Sequence, residues 1–475
     1  MGQEIARSHF KKQDFHTFES RLREETALVQ RWFLEKRFAV EPSIGGFELE
    51  AWLVDENGLP APINQAYLER LQSSLVVPEL SVFNVELNTV PRRLHGDTLS
   101  RLHTALETLW CQCNKTAAEL EASLMMIGIL PTVRKQDMKV ANMSQRTRYR
   151  ALNEQVLRQR KGSPLVLDIR GRQRLRTEHQ DVMLEAATTS FQIHLQVEPA
   201  KAARYFNAAL ILSAPMVAMA ANSPFAFGRD LWEETRIPVF EQSVAVSGDK
   251  LSLPRVTFGT GYVQHSLFEL FVENLERYPA LLPFVLDEPQ ERVSHLRLQN
   301  GTLWRWNRPL IGFDSNGTPH LRIEHRVMPA GPSVPDTIAN AAFFYGLVHF
   351  YGEQTLPPET SLPFERCREN FYAAAQTGLM TKVQWMDGKS VVLRQLVLEK
   401  LLPLAKQGLE RLDINRDDIQ SYLNIIEARV ITGRTGANWQ RDFVARHGPN
   451  MSALTTAYLE RQRRGTPVHE WSITC

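Results

Sequence analysis

The chain has 475 residues, 43% of them hydrophobic and 23% charged, enough to bury a large core in one domain or a few smaller ones. Its 55 basic and 53 acidic side chains leave a formal net charge of +2, so no global field draws it to nucleic acid or to an anionic membrane. The first fifteen residues lack the apolar stretch of a secretory signal, and no apolar run nears the ~20 residues a spanning helix needs, so a cytoplasmic location is expected.

In chain order, a charged amphipathic helix is expected over residues 15–40, ending near Arg37. Residues 45–55, GGFELEAWLVD, alternate as a strand, and Glu56-Asn57-Gly58 makes the turn after it. A second extended stretch covers residues 80–91, followed by a helix over 97–124 with Leu99, Leu102, Leu106 and Leu109 at helical spacing. MMIGILPT then reads as a short buried strand ending at Pro131. Residues 146–160 form a basic helix, 168–176 a basic loop or hairpin, 188–197 a strand, and 201–221 a buried helix. A Gly/Pro loop (222–230) and a mixed segment (255–320) precede the last clear strand, 320–328. Beyond Pro335 the pattern is mainly helical. Cys111 and Cys113 form C-x-C without a second cysteine or histidine pair, so they and Cys367 and Cys475 make neither a disulfide framework nor a zinc site; Cys111 and Cys113 are expected to be packing thiols on a helix. Strands scattered among helices, with a helical last third, give an α+β fold.

Side chains at i and i+2 share one face of a strand. Glu48, Glu50 and Trp52 therefore oppose Phe47, Leu49, Ala51 and Leu53. Asn84, Glu86 and Asn88 oppose Phe83, Val85 and Leu87; Gln192, His194 and Gln196 oppose Phe191, Ile193 and Leu195; Arg322, Glu324 and Arg326 oppose Leu321, Ile323 and Val327. Any one of these strands also reads as half solvated. Together the polar positions hold four carboxylates, an imidazole, amides and two guanidiniums, with no lysine or serine. Hard divalent cations such as Mg²⁺ take oxygen ligands and bridge carboxylates to phosphates, and guanidiniums pair with phosphate oxygens. No G-x-x-x-x-G-K-[ST] loop, strand-linked G-x-G-x-x-G or G-x-S-x-G elbow competes with this reading.

Six segments carry a resemblance. GGFELEAWLVD resembles the first-strand motif of the glutamate–cysteine ligase superfamily, and VFNVELNTVP its next acidic segment. RYRALNEQV, TTSFQIHLQV, AANSPFAFGRDLWEETRIPVFEQ and LRIEHRVMPAG are similar to its later motifs, in family order, over residues 40–350. The resemblance is nearest to the carboxylate–amine ligase branch called glutamate–cysteine ligase type 2. It implies a glutamine-synthetase-like fold, with a curved antiparallel-rich sheet forming a funnel packed by helices. Residues 1–40 would be an N-terminal helical segment, 41–350 the catalytic domain, and 351–475 a helical region packed on it. It also implies ATP as cosubstrate and two or three Mg²⁺ ions. A carboxylate, glutamate by default, would form an acyl phosphate that cysteine or another amine converts to an amide, as in glutathione biosynthesis. Carried over by motif, Glu48, Glu50, Glu86, His194 and Glu324 become metal ligands. Arg326 meets the transferred phosphoryl, with Glu324 the second catalytic residue. Gln192, Arg322 and Arg326 lie by the nucleotide, and Arg236 and Asn84 by the substrate. Phe47 before Glu48 and Asn84 in the acidic segment depart from the family pattern.

Other features stay open at this level. Arg146, Arg148 and Arg150 form either a solvated helix face or a reach over the triphosphate. Trp304 and Trp306 suit packing or a substrate wall, and Asn222 and Ser223 sit in a tight turn. Residues 433–440, GRTGANWQ, read as a lid or as a plain turn into a helix, the latter favoured by turn statistics. A homo-oligomer is allowed. A small-molecule kinase on the same fold and a non-catalytic ATP-binding relative are the alternatives to a ligase.

Overall fold

A computed structural model describes residues 4–40, 43–246 and 253–474. Cys475 therefore lies outside the described residues. The centre of the molecule is an eight-stranded, antiparallel curled sheet: β1 (Ile44–Val54), β2 (Val76–Pro78), β3 (Asn84–Asn88), β4 (Arg92–Arg93), β5 (Ser123–Met125), β6 (Ser190–Val197), β7 (Asn307–Phe313) and β8 (Pro319–Pro329). Their order is β7-β8-β6-β1-β3-β2, with β4 and β5 pairing the two ends of β1. Among the described residues fifteen α-helices surround the sheet or flank it in sequence, so the expected α+β class and curved sheet are what the chain adopts.

The apolar face of the sheet is sealed by long helices. Ala202–Ala220 is apolar and long enough to cross a membrane, yet it is buried in the protein beneath β8. Helix Val334–Gly352 packs on it and on Leu402–Arg411, where Gly346 and Gly408 allow the two backbones to touch. The last third clamps back onto the sheet. Arg429 reaches Asp336 at 2.7 Å, and Gln462 donates to the carbonyl of Met126 at 2.9 Å, all of them buried. At the other end, helix Lys12–Leu34 buries Glu25 against His295 at 2.6 Å.

Three local expectations change. The helix over residues 97–124 stops at Ala118, because Glu121 takes a positive φ and Leu124 then pairs with Leu53 in the sheet. The strand that follows is Ser123–Met125, so of the apolar run MMIGILPT only Met125 is strand. Residues 126–131 are an irregular buried crossing whose polar backbone atoms bond to Asn222, Tyr458 and Gln462. Trp52 is not on a polar surface: it is fully buried, stacked on Phe83 at 5.4 Å, with its indole N–H on Thr189. The basic segment 168–176 is a hairpin, Leu165–Arg170 against Arg174–His179. Residues 433–440 are a helix start, with the Thr435 hydroxyl accepting from the Asn438 N–H and Gly436 against Asn222.

Candidate active site

The polar face of the sheet is the floor of a deep cleft. Antiparallel register sets Glu50 opposite Glu86, Glu48 opposite Gln192, and Glu324 opposite His194. The alternation seen in sequence therefore converges on one place. The face is not solvated in the ordinary sense: all eight residues of β6 are buried, Gln192 and His194 among them, and Glu324 is fully covered.

The carboxylates gather in two sets. Glu48, His194 and Glu324 form one, and Glu50, Glu79 and Glu86 the other; in each, three potential ligand atoms lie within 4.8 Å of one another. Both nitrogens of the His194 ring lack a hydrogen-bond partner although buried, with Nε2 3.3 Å from Glu48 Oε1. Oxygen-rich donor sets with one imidazole fit hard divalent cations, and the buried Nδ1 of His194, with no hydrogen-bond partner, keeps a lone pair such an ion could take. Among the described residues there are two such sets, so two ions fit.

Arginines set the charge balance. Arg308 grips Glu324 through two bonds of 2.8 and 3.0 Å, and Arg326 bonds both Glu324 and Gln192. Burial alone would raise the Glu324 pKa; Arg308, Arg326 and His194 overcome it and hold this carboxyl at about 2. Glu50 goes the other way. Burial, with the charge of Glu86 adding, pushes it to about 7 against the pull of Arg326 and of bonds from the Ser190 N–H and hydroxyl. Burial first, then neighbouring carboxylates, also raises Glu79 and Glu86, which lie in the same unneutralised set. One set is thus balanced by guanidiniums, while in the other burial and mutual repulsion favour protonated carboxyls, a tendency that a bound cation would reverse.

Of the residues singled out from sequence, Glu48, Glu50, Glu86, Gln192, His194, Arg322, Glu324 and Arg326 all line this cleft. Arg322 has no hydrogen bond or ion pair among the described residues, and so keeps donors for a ligand. Arg236 and Asn84 are not brought to the cleft. Arg236 is 2% exposed and committed elsewhere: Nε to Glu234 at 3.1 Å, Nη2 to the carbonyls of Arg326 and Val327, and its plane over Trp306. Its hydrogen bonds tie it to β8, and the charges of Glu50 and Arg326 reach it from the cleft. Asn84, the first residue of β3, is buried against Ser81 of the turn before it. Asn222 and Ser223 are likewise interior, bonded to Glu234, Ala330 and Arg236.

Sequence reasoning missed Glu79, Glu185, Arg297 and Arg308 on the cleft wall. Glu79 stands just before the expected strand, and only the turn at 79–83 folds it back toward Glu86. Arg308 had a signal, since it sits opposite Glu324 on a strand that also alternates. Of the basic helix, Arg148 lines the cleft while Arg146 and Arg150 are exposed; Trp304 lines it while Trp306 is buried with its N–H on Glu241. The far wall is apolar, with Leu296, Leu298, Leu310 and Ile311.

Comparison with known proteins bears on this arrangement. The model of glutamate-cysteine ligase family 2 matches residues 44–457. No curated protein matches the chain. Among solved structures, a glutamate–cysteine ligase from Francisella tularensis in complex with AMP is similar with a TM-score of 0.58 and 13% identity, over 92% of this chain and 91% of that one. A bifunctional glutathione synthetase from Pasteurella multocida follows at 0.53 and 11%, over 92% of this chain and 55% of the other. At these identities the likeness is one of fold.

Proposed function

From the premise that this chain belongs to glutamate–cysteine ligase family 2, and so to the ATP-dependent carboxylate–amine ligases, we propose that the cleft activates glutamate for amide formation with cysteine or a related small amine. The observation that carries this reading is the pair of carboxylate sets on one sheet face, with guanidiniums beside them.

Glu48, His194 and Glu324 would hold one Mg²⁺ ion, and Glu50, Glu79 and Glu86 a second. Bound there, Mg²⁺ supplies charge neutralisation for the triphosphate. The protein's own part is positioning. Arg322, with unspent donors, meets phosphate oxygens, and Arg326, fixed by Gln192 and Glu324, faces the group being transferred. The apolar wall of Leu296, Leu298, Leu310 and Ile311 offers a base-sized surface that excludes water. The Francisella protein holds AMP, which supports a nucleotide in this cleft.

The carboxylate of the acid attacks the γ-phosphorus and ADP leaves. The amine then attacks the acyl carbon, inorganic phosphate leaves, and the amide remains. Holding both partners in line is the main demand on the site. The test is phosphate release from Mg-ATP with each amino acid as acid, crossed with a panel of amines. Release that requires both an acid and an amine is expected. Phosphorylation of the acid without an amine would make the protein a kinase, and absence of Mg-ATP binding would leave only a non-catalytic relative.

A further inference from the structure

Glu185 is the one carboxylate on the cleft wall that belongs to neither carboxylate set. It lies in the short helix Val182–Ala187, which leads into β6 and packs against helix Thr147–Gln159. Its side chain makes no hydrogen bond or ion pair among the described residues, whereas Glu324, Glu50 and Glu86 all accept hydrogen bonds from neighbouring side chains. It is half-buried, and burial first, then the charges of Glu79 and Glu50, hold its carboxyl well above the ordinary range until a cation offsets them. Tyr149 and Leu152 of the adjoining helix complete the same end of the cleft.

A carboxylate that is half-buried, has no partner and lies beside two more carboxylates is costly to hold in place. Its surroundings reject an anion and attract a cation. Arg326, the guanidinium whose charge acts on it, is engaged by Glu324 and Gln192. We propose that Glu185 is the specificity residue for the acceptor amine, receiving its ammonium group at the end of the cleft away from the apolar wall; the nitrogen gives up one proton to solvent before it attacks the acyl carbon and a second as the amide forms. This rests on the ligase reading above and adds to it a class of acceptor, a cationic amine presented to Glu185 beside the ring of Tyr149.

Hydroxylamine separates the two ideas, because it is uncharged at neutral pH and needs no ammonium receptor. Its nitrogen bonds to the acyl carbon of the acyl phosphate, inorganic phosphate leaves with the C–O electron pair, and the released proton goes to solvent. The full-length protein and its Glu185→Gln variant would be assayed with Mg-ATP and L-glutamate, or the acid identified by the turnover screen. The acceptors are hydroxylamine, L-cysteine and ethylamine. In the variant, KM for the cationic amines should rise about ten- to a hundredfold, the range a lost charge-assisted hydrogen bond spans. Hydroxamate formation and KM for ATP should stay within about threefold. Glu185→Asp, which keeps the charge, should recover part of the amine affinity and guards against a folding defect in the first variant. Unchanged amine KM overturns the proposal. So does a variant that loses hydroxamate formation or Mg-ATP affinity equally, since Glu185 would then serve the metals or the fold. Absence of acid-dependent hydroxamate in the unmodified protein overturns the ligase reading itself, and this inference with it.

Discussion

Replacing Glu324 with glutamine separates what this carboxylate does for the fold from what it does for the reaction. Glu324 is fully buried between Arg308, at 2.8 and 3.0 Å, and Arg326. Its pKa is held at about 2, below the ordinary 4.5, despite burial. The stabilisation it brings is therefore complete above pH 4.5 and is lost as pH falls toward 2. Glu324→Gln takes from half-buried Arg308 its ion-pair partner and leaves buried Arg326 only the charges of Glu50 and Glu48, which should cost about 3 kcal/mol of stability at neutral pH. It should also remove turnover, through loss of a metal donor. A second substitution, Arg308→Met, takes away one of the stranded charges. The double variant should regain about half of the lost stability in urea unfolding and none of the turnover, read as acid- and amine-dependent phosphate release. Recovery of turnover in the double variant would refute the reasoning, because Glu324 would then only balance Arg308. Wild-type stability in the single variant would refute the electrostatic half.

Arg236→Lys should lower the melting temperature by several degrees, since a lysine cannot span Glu234 and the two carbonyls of β8, while leaving the substrate KM values within about twofold; a KM effect without a stability effect would return Arg236 to the substrate. Glu241, buried against the Trp306 N–H and the Tyr372 hydroxyl, is pushed up to about 7 by burial. The folded protein keeps this proton after the unfolded chain has lost it, so stability should fall as pH rises from about 4.5 to about 7, by about 3 kcal/mol. Glu241→Gln should remove that decline in urea unfolding at pH 5 and 8, and equal slopes for both proteins would contradict the assignment. Gly408→Ala would set a Cβ against the Gly346 carbonyl and force two buried helices apart. A loss of about 2 kcal/mol or more is expected in the same assay, and none would mean the helices are looser than they look.

Much of the site was readable because strand geometry is local. Period-two alternation in four short segments placed Glu48, Glu50, Glu86, His194, Glu324, Arg322 and Arg326 on polar faces, and all seven line the cleft. The helices at 147–159 and 202–220 were legible for a similar reason, since helical spacing needs only neighbouring turns. Pairing is not local. That β1 lies between β6 and β3, and that β8 lies beside β6, decides which carboxylates share an ion, and no segment carries that order by itself. Glu79 and Glu185 stand outside any alternating run, in the turn before β3 and the short helix before β6 that deliver them to the cleft. Arg236 and Asn84 show the converse. A polar side chain's type is fixed in sequence, but where its hydrogen bonds go depends on residues like Val327 and Ser81 that only folding brings near. The sequence by itself determined the faces and their chemistry. The tertiary structure decided which groups meet, because a side chain's partners are set by the packing of distant segments and its direction only by the residues beside it.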